Sequence, residues 1–454
     1  MPTRSVPTSL HHAWLDRVPS GEGPLYLRIL HALQSALRDG ELQPGDQLPP
    51  QRAVSDILKI DFTTVTRAYA LARERGLIEG AVGRGTFVRA LSAEDEAGVI
   101  DLSMNLPPPP VGVSLAEAMS ATSRAILERT DFAALMAYHP GAGSIAHRAA
   151  AAAWLEPTLG PVAPERLLVA SGAQTALAAI LSVLARPGDA LIVEPLTYPG
   201  VLALAANMGL RLIPCAVDGE GLLPDALQAA CAQAGVRAVY CTPTLHNPTT
   251  ATMGEVRRAD IAAVIRAAGV PLIEDDPYAR LLTEPHPALA RLAPGLVYHV
   301  ATLSKTLTPG LRTAFVAAPH ARAAGRIAAA LRALSMMASP LTSAVATAWI
   351  RDGAADAILT GVREEAAARR QIAARLLPSA RGGPQSLHVW LDTPPGLDLG
   401  VLRETGRKRG LAIVTADAFA AGPEAPSGLR VSLGAARDRA VLTEALTGLA
   451  ELLA

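Results

Sequence analysis

Lysine is nearly absent from this 454-residue chain: Lys59, Lys305 and Lys408 are the only three. The remaining 38 of its 41 basic residues are arginine, which holds its proton too tightly to form an imine. Any lysine chemistry therefore has three candidates. Cysteine is equally scarce. Cys215, Cys231 and Cys241 show no C-x-x-C spacing, which argues against a disulfide framework or a zinc site and fits a reducing compartment. An excess of one charge is missing too. Lys+Arg and Asp+Glu both total 41, which argues against bulk polyanion binding and leaves room only for a local basic site. Arg, Gly or Pro breaks every apolar run before about 18 residues, so no membrane span is expected. The N-terminal MPTRSVPTSLHHAWL lacks the apolar core of a signal peptide. The expectation is a soluble, cytoplasmic protein. Half of its residues are hydrophobic and 18% are charged, a composition that builds large cores.

The composition shifts near RALSAEDEAGVI, an acidic stretch without aromatics after a Gly-rich turn. We read residues 20–89 as a small module, 90–100 as a linker and 101–454 as a large body. In the small module, Tyr26, Leu30, Leu33 and Leu37 recur at helical spacing, and Gly40 stops that helix. A Pro/Gly turn, a second helix and a third helix with Asp61 at its N-cap follow. LIEGAVGRGTFVR then reads as two strands around a glycine turn. Together these make a winged helix-turn-helix. From about residue 100, strand-like runs alternate with helices: 167–170, 190–193, 236–240, 270–274, 296–301 and 312–317. Such alternation predicts an α/β body with a mainly parallel sheet. After residue 320, LHVWLD, LAIVT and GLRVSL lie among helices and loops and read as a smaller α+β lobe.

Five segments carry chemistry. Lys305 follows a strand, flanked by the hydroxyls of Thr302, Ser304 and Thr306, with Arg312 seven residues on. A buried amine of lowered pKa forms imines, and hydroxyls beside an arginine suit phosphate. An ordinary surface lysine after a strand fits the same residues. In LLVASGAQTALAAIL a buried strand turns at Ser171-Gly172-Ala173 into a helix whose N-terminus suits phosphate, although such turns are common without a ligand. In VPLIEDDPY, acids end a strand, where ligands of open α/β sheets sit. Asp275 and Tyr278 have D-x-x-Y spacing, which equally fits a plain acidic strand end. Tyr198 offers a stacking ring, and Asn247-Pro248 marks a turn. The joint presence and order of these pieces decide what each alone leaves open.

In that order the region from about residue 100 resembles the fold-type I aminotransferases that depend on pyridoxal 5′-phosphate. The resemblance implies roles. Lys305 is the lysine that holds the cofactor as an imine and shuttles protons. Asp275 keeps the pyridine nitrogen protonated, which makes the ring an electron sink. Tyr278 and Asn247 meet the ring oxygen, and Tyr198 stacks on the ring. Ala173, Gln174, Thr302, Ser304 and Arg312 form the phosphate cup. Arg430 clamps a substrate α-carboxylate through a bidentate contact. Tyr138 reaches the phosphate of a neighbouring subunit, which presumes a homodimer. Thr250 stands where the family's Asn-Pro-Thr-Gly has glycine, and His147-Arg148 replaces its usual Leu-Arg.

Residues 24–89 resemble the GntR-type winged helix-turn-helix, through LPPQR, TTVTRAY and GRGTFV. Val65, Ala68, Tyr69 and Ala72 form a stripe that faces the core and leaves Thr63, Thr66 and Arg67 for a major groove. Arg52, at the start of the preceding helix, and Arg84, at the hairpin tip, complete the expected DNA contacts. A solvated helix face and a bare hairpin would carry the same residues. Phe62 stands where an arginine is usual. The two resemblances together are those of MocR-type regulators. They imply a transcription factor that binds double-stranded operator DNA, pyridoxal phosphate and an amino-acid-like effector. The alternative is a working aminotransferase with a disused DNA-binding module.

Overall fold

The computed structural model describes residues 10–19, 23–38, 41–43, 45–74, 77–81, 85–88, 99–129, 131–139, 141–394 and 396–453. The chain divides into two compact units, Met1–Ile100 and Asp101–Ala454. Gly40, Arg84 and all of the expected linker up to residue 98 lie outside the described residues.

The first unit is built on three helices, α1 (Leu25–Arg38), α2 (Gln51–Leu58) and α3 (Phe62–Glu74). The stripe expected on α3 is fully buried: Val65, Ala68, Tyr69 and Ala72 are all at most 2% exposed. The Tyr69 hydroxyl donates to the carbonyl of Pro49 at 2.8 Å, which locks α3 to the turn before α2. Asp61 accepts from the backbone N–H of Thr63, as an N-cap aspartate does. The strands Ile78–Ala81 and Gly85–Val88 pair antiparallel, as expected of the wing. A third strand, Gln47–Leu48, joins their sheet and was not expected. A 3-10 helix, Leu10–Arg17, precedes α1. Its Trp14 and Leu15, with Val18, are buried in the same core as Ile29 and Leu33, so that core reaches upstream of the expected boundary at residue 20.

The second unit is organised by a seven-stranded sheet. Its spatial order is Leu167–Ala170, Ala314–Ala317, Val297–Thr302, Leu272–Asp275, Val236–Cys241, Ala190–Val193, Arg211–Pro214. Ala314–Ala317 runs antiparallel to both neighbours, and the other strands run in one direction. Six of the seven strands coincide with the expected apolar runs. The seventh, Arg211–Pro214, is an edge strand that begins with arginine, ends with proline and is half exposed, so it lacks the apolar signature. Alternate strand residues point to opposite faces, and helices cover both faces. Leu272, Val239 and Ile192 face one core, while Ile273, Tyr240 and Leu191 face the other. The smaller lobe has a three-stranded antiparallel sheet of His388–Asp392, Gly428–Ser432 and Val414–Thr415. The expected strand LAIVT is split there into Leu411–Ala412 and Val414–Thr415.

The stretch after Asp101 is tied to the body by its backbone. Leu102 donates to the carbonyl of Ala412 and accepts from the N–H of Ser432, each at 2.8 Å, and Val111 donates to the carbonyl of Gly361. Gly434 touches this segment so closely that an added Cβ would lie 1.8 Å from the carbonyl oxygen of Leu106. No helix among the described residues is long and apolar enough to cross a membrane.

Candidate functional site

The antiparallel strand places two cations together. Val297–Thr302 and Ala314–Ala317 are neighbours, so the chain turns back within residues 303–313, and Lys305 and Arg312 both sit in that turn. Both point into a cavity of about 470 Å³, a size suited to a small ligand. Burial, reinforced by the nearby Arg430, pushes the Lys305 amine down to about 8. Its Nζ donates to the backbone carbonyl of Asn105. Arg312 makes no side-chain hydrogen bond or ion pair among the described residues. Its backbone is left-handed, with φ +47°. Its guanidinium lies against Gly172, where an added Cβ would approach Nη2 to 2.9 Å. Gly172, at φ +94°, begins the helix Ala173–Leu184, and no side chain caps its first turn. Free N–H groups, the guanidinium and the buried hydroxyls of Thr302 and Ser304 therefore converge on one corner. That set of donors suits a dianionic phosphate.

Asp275, the middle acid of Glu274-Asp275-Asp276, lines the same cavity. Strand alternation separates the three. Glu274 registers with His299 and accepts from it at 3.0 Å, from the N–H groups of Leu289 and Ala290, and lies beside Arg258. Asp276 accepts from Thr244 and from the N–H of Ala279. Asp275 faces the other way. Tyr240 registers with Ile273 and so shares a face with Asp275, and its hydroxyl donates to Asp275 Oδ2 at 2.7 Å. Asp275 Oδ1 is buried with no hydrogen-bond partner among the described residues. Burial pushes this carboxyl up to about 6. An orphaned carboxylate oxygen in a cavity wall is a place for a donor from a ligand.

The smaller lobe brings Arg430, on Gly428–Ser432. Arg430 is 7% exposed and has no carboxylate partner among the described residues. Nη1 donates to Asn247 Oδ1 at 2.7 Å, Nη2 donates to the carbonyl of Ser103, and Nε is buried and unpaired. Burial pushes it down to about 10. Its carbon lies 4.9 Å from the centre of the Phe419 ring. Asn247 belongs to a turn whose Leu245 and Thr250 have φ of +45° and +64°. Thr250, which replaces the expected glycine, thus sits in the left-handed region that a β-branched residue rarely adopts.

Lys305, Ala173, Gln174, Tyr198, Asn247, Asp275, Tyr278, Thr302, Ser304, Arg312 and Arg430 all line this one cavity. Tyr138 does not: it is 82% exposed and lies away from its own chain's cavity. Four participants gave no signal in the sequence. Asn105 sits in SMNLPPPP and acts partly through its carbonyl. Tyr240 and His388 are single polar residues in apolar strands, recognisable only once the register is known. Phe419 lies in a loop.

In the first unit, Arg52, Thr63, Thr66 and Arg67 are exposed on α2 and α3. Arg52 has no partner among the described residues. Thr63 donates to Asp61. Thr66 donates to Gln51 Oε1 at 2.9 Å, bridging α3 to α2. The Arg67 guanidinium stacks over the Tyr26 ring at 4.0 Å.

The chain matches the family "Aminotransferase class I and II" over residues 97–449, and "Bacterial regulatory proteins, gntR family" over residues 25–88. It is 29% identical over 452 residues to the Bacillus subtilis "Uncharacterized HTH-type transcriptional regulator YdeF", covering 97% of each chain. It is 30% identical over 435 residues to the Salmonella typhimurium "Vitamin B6 salvage pathway transcriptional repressor PtsJ", covering 93% of this chain and 97% of that protein. Among solved structures, Pyrococcus horikoshii kynurenine aminotransferase in complex with PMP superimposes with a TM-score of 0.72 at 24% identity, covering 79% of this chain and 92% of that one. That likeness concerns the fold.

Proposed function

Because the chain belongs to the aminotransferase class I and II family and carries a gntR-family module ahead of that body, we propose that it is a transcriptional regulator of the MocR-type architecture. It binds operator DNA through the first unit and senses pyridoxal 5′-phosphate, with or without an amino-acid-like effector, through the second. The observation that carries this reading is full-length similarity to proteins named as HTH-type transcriptional regulators, one of them a vitamin B6 salvage repressor.

The cavity's unmet polar groups fit that cofactor. Asp275 Oδ1 lacks a donor, and Arg312 lacks an anion beside an uncapped helix N-terminus. Lys305 is the only lysine among the lining residues. In this reading Lys305 bonds the cofactor, and Asp275 takes its ring N–H. Tyr278 and Asn247 meet its ring oxygen, and Tyr198 packs on the ring. Ala173, Gln174, Thr302, Ser304 and Arg312 hold its phosphate. Bound there, the protonated ring supplies an electron sink. Arg430 takes an effector carboxylate, which its unpaired Nε and lack of an acidic partner favour. Tyr138, with the exposed Phe132 and Ile145, belongs to a homodimer interface. Arg52, Thr63, Thr66, Arg67 and Arg84 meet DNA, and Phe62, 44% exposed, suits a thymine methyl.

Gel retardation of the DNA upstream of the gene tests the regulator. The purified protein is expected to retard that DNA, with an affinity that changes when pyridoxal phosphate is added. Failure to retard it with or without cofactor would overturn the reading. The cofactor assignment is tested separately by an absorbance band near about 420 nm, expected in the wild type and lost in Lys305→Ala. One observation favours the second reading, a working aminotransferase: an amine lowered to about 8 is competent in proton transfer near neutrality. Repeated turnover of an amino acid with a keto acid distinguishes it from sensing, which needs a half-reaction at most.

A further inference from the structure

Asn105 bonds to Lys305, Tyr278 and His388, which come from three separate stretches of the chain. Its carbonyl accepts from Lys305 Nζ. Its side-chain amide lies 2.9 Å from the Tyr278 hydroxyl and 3.1 Å from His388 Nδ1. His388 begins the smaller lobe's first strand and is fully buried. Its other nitrogen, Nε2, lies 3.2 Å from the carbonyl of His246. A carbonyl only accepts, so Nε2 carries the proton. A buried ring without an acidic partner stays neutral, so Nδ1 is bare and accepts. Asn105 must then present its NH2 group to Nδ1, which fixes which way the amide points. The same NH2 group donates to Tyr278. The phenol oxygen is thereby an acceptor on that side, and its own proton has no acceptor among the described residues. Asn105 Oδ1 is left buried without a partner, so the orientation is held against a real cost.

We propose that Asn105 and His388 are positioning residues that force the Tyr278 phenol to donate its proton into the cavity. His246's carbonyl sets the His388 tautomer, His388 sets the Asn105 amide, and the amide sets the direction of the Tyr278 O–H bond. The carbonyl of Asn105 meanwhile aligns the Lys305 amine toward the same space. The inference rests on the reading that Tyr278 faces the ring oxygen of pyridoxal phosphate. A phenol that donates to that oxygen stabilises its anionic form. The proton held near Lys305 is then released at lower pH.

The test is a spectroscopic titration of the cofactor-loaded full-length protein. In the wild type the bound cofactor's absorbance changes with pH at one midpoint. His388→Phe removes the acceptor Nδ1 and is expected to raise that midpoint by about one pH unit, the scale of one hydrogen bond. His388→Gln keeps an acceptor for the amide and is expected to return it near the wild-type value. Asn105→Asp keeps the volume, loses both donors and draws the phenol proton toward itself, and should raise the midpoint at least as far. Tyr278→Phe in combination with His388→Phe should add nothing to Tyr278→Phe alone. Midpoints of His388→Phe and Asn105→Asp within about 0.2 units of the wild type would overturn the proposal, whatever Tyr278→Phe does. A wild type that takes up no cofactor would instead overturn the reading on which it rests. If His388→Phe does not fold, Asn105→Asp and its double variant with Tyr278→Phe carry the same comparison.

Discussion

Asp275 is a single side chain that its surroundings hold in an unfavourable state. Its carboxyl is pushed up to about 6 by burial, from an ordinary value of 3.8. A carboxyl raised in this way favours the folded state below about pH 4 and loses that contribution as pH climbs through about 6. At pH 8 the ionised group is a cost that asparagine would not carry. Cofactor-free Asp275→Asn should therefore melt several degrees above the wild type at pH 8, with the gap closing at pH 4. Differential scanning calorimetry at the two values checks this. Gly172 is the converse case, a residue that tolerates no side chain. Its φ of +94° and the 2.9 Å approach of a Cβ to Arg312 predict that Gly172→Ala loses about 1–2 kcal/mol of stability and weakens phosphate binding, measured by chemical denaturation and by titration with inorganic phosphate. That Asp275, of three consecutive acids, is the one lining the cavity was legible from its spacing to Tyr278. The physical reason was not: Glu274 and Asp276 are consumed by His299, Leu289, Ala290, Thr244 and Ala279, and strand register decides that. Asn105 was illegible because its side-chain partners Tyr278 and His388 lie 173 and 283 positions away, and its contact with Lys305 is made by a carbonyl, which carries no residue-type signature.

Among the elements, legibility followed burial. Strands covered on both faces read as unbroken apolar runs, and α3 of the first unit read as a stripe. The half-exposed Arg211–Pro214 and the two-residue Gln47–Leu48 carry too few apolar positions to read. The segment after Asp101 was read only as the start of the body, yet it lines the cavity with Ser103, Met104, Asn105 and Leu106. Gly434 is what lets it lie there. Gly434→Ala would drive a Cβ into the carbonyl of Leu106 and push this segment outward. The expected result is cofactor affinity reduced at least tenfold, with helix content unchanged, as read by absorbance titration and far-ultraviolet circular dichroism. In the first unit, Tyr69→Phe removes the bond to Pro49 and should cost about 1 kcal/mol in that unit's unfolding without altering the exposed face of α3.

For the molecule as a whole, the cavity is assembled from distant parts of one chain. Arg430 bonds to a carbonyl 327 positions earlier in the sequence, and Lys305 to one 200 positions earlier. A ligand that engages Lys305, Asp275 and Arg430 together therefore cross-links the start of the body, its large sheet and its smaller lobe. Free cofactor at about a thousand times its dissociation constant would add roughly 4 kcal/mol to stability. That is a large share of the roughly 5–15 kcal/mol that a folded protein commands. A corresponding rise in melting temperature with added pyridoxal phosphate, absent in Lys305→Ala, is the expected outcome. The wide spacing of the cavity residues along the chain has a consequence for turnover in the cell. Proteolysis follows the population of opened chains, so cells starved of the cofactor would hold less of this protein. On the proposed reading, its lifetime as well as its grip on DNA would record the supply of pyridoxal phosphate.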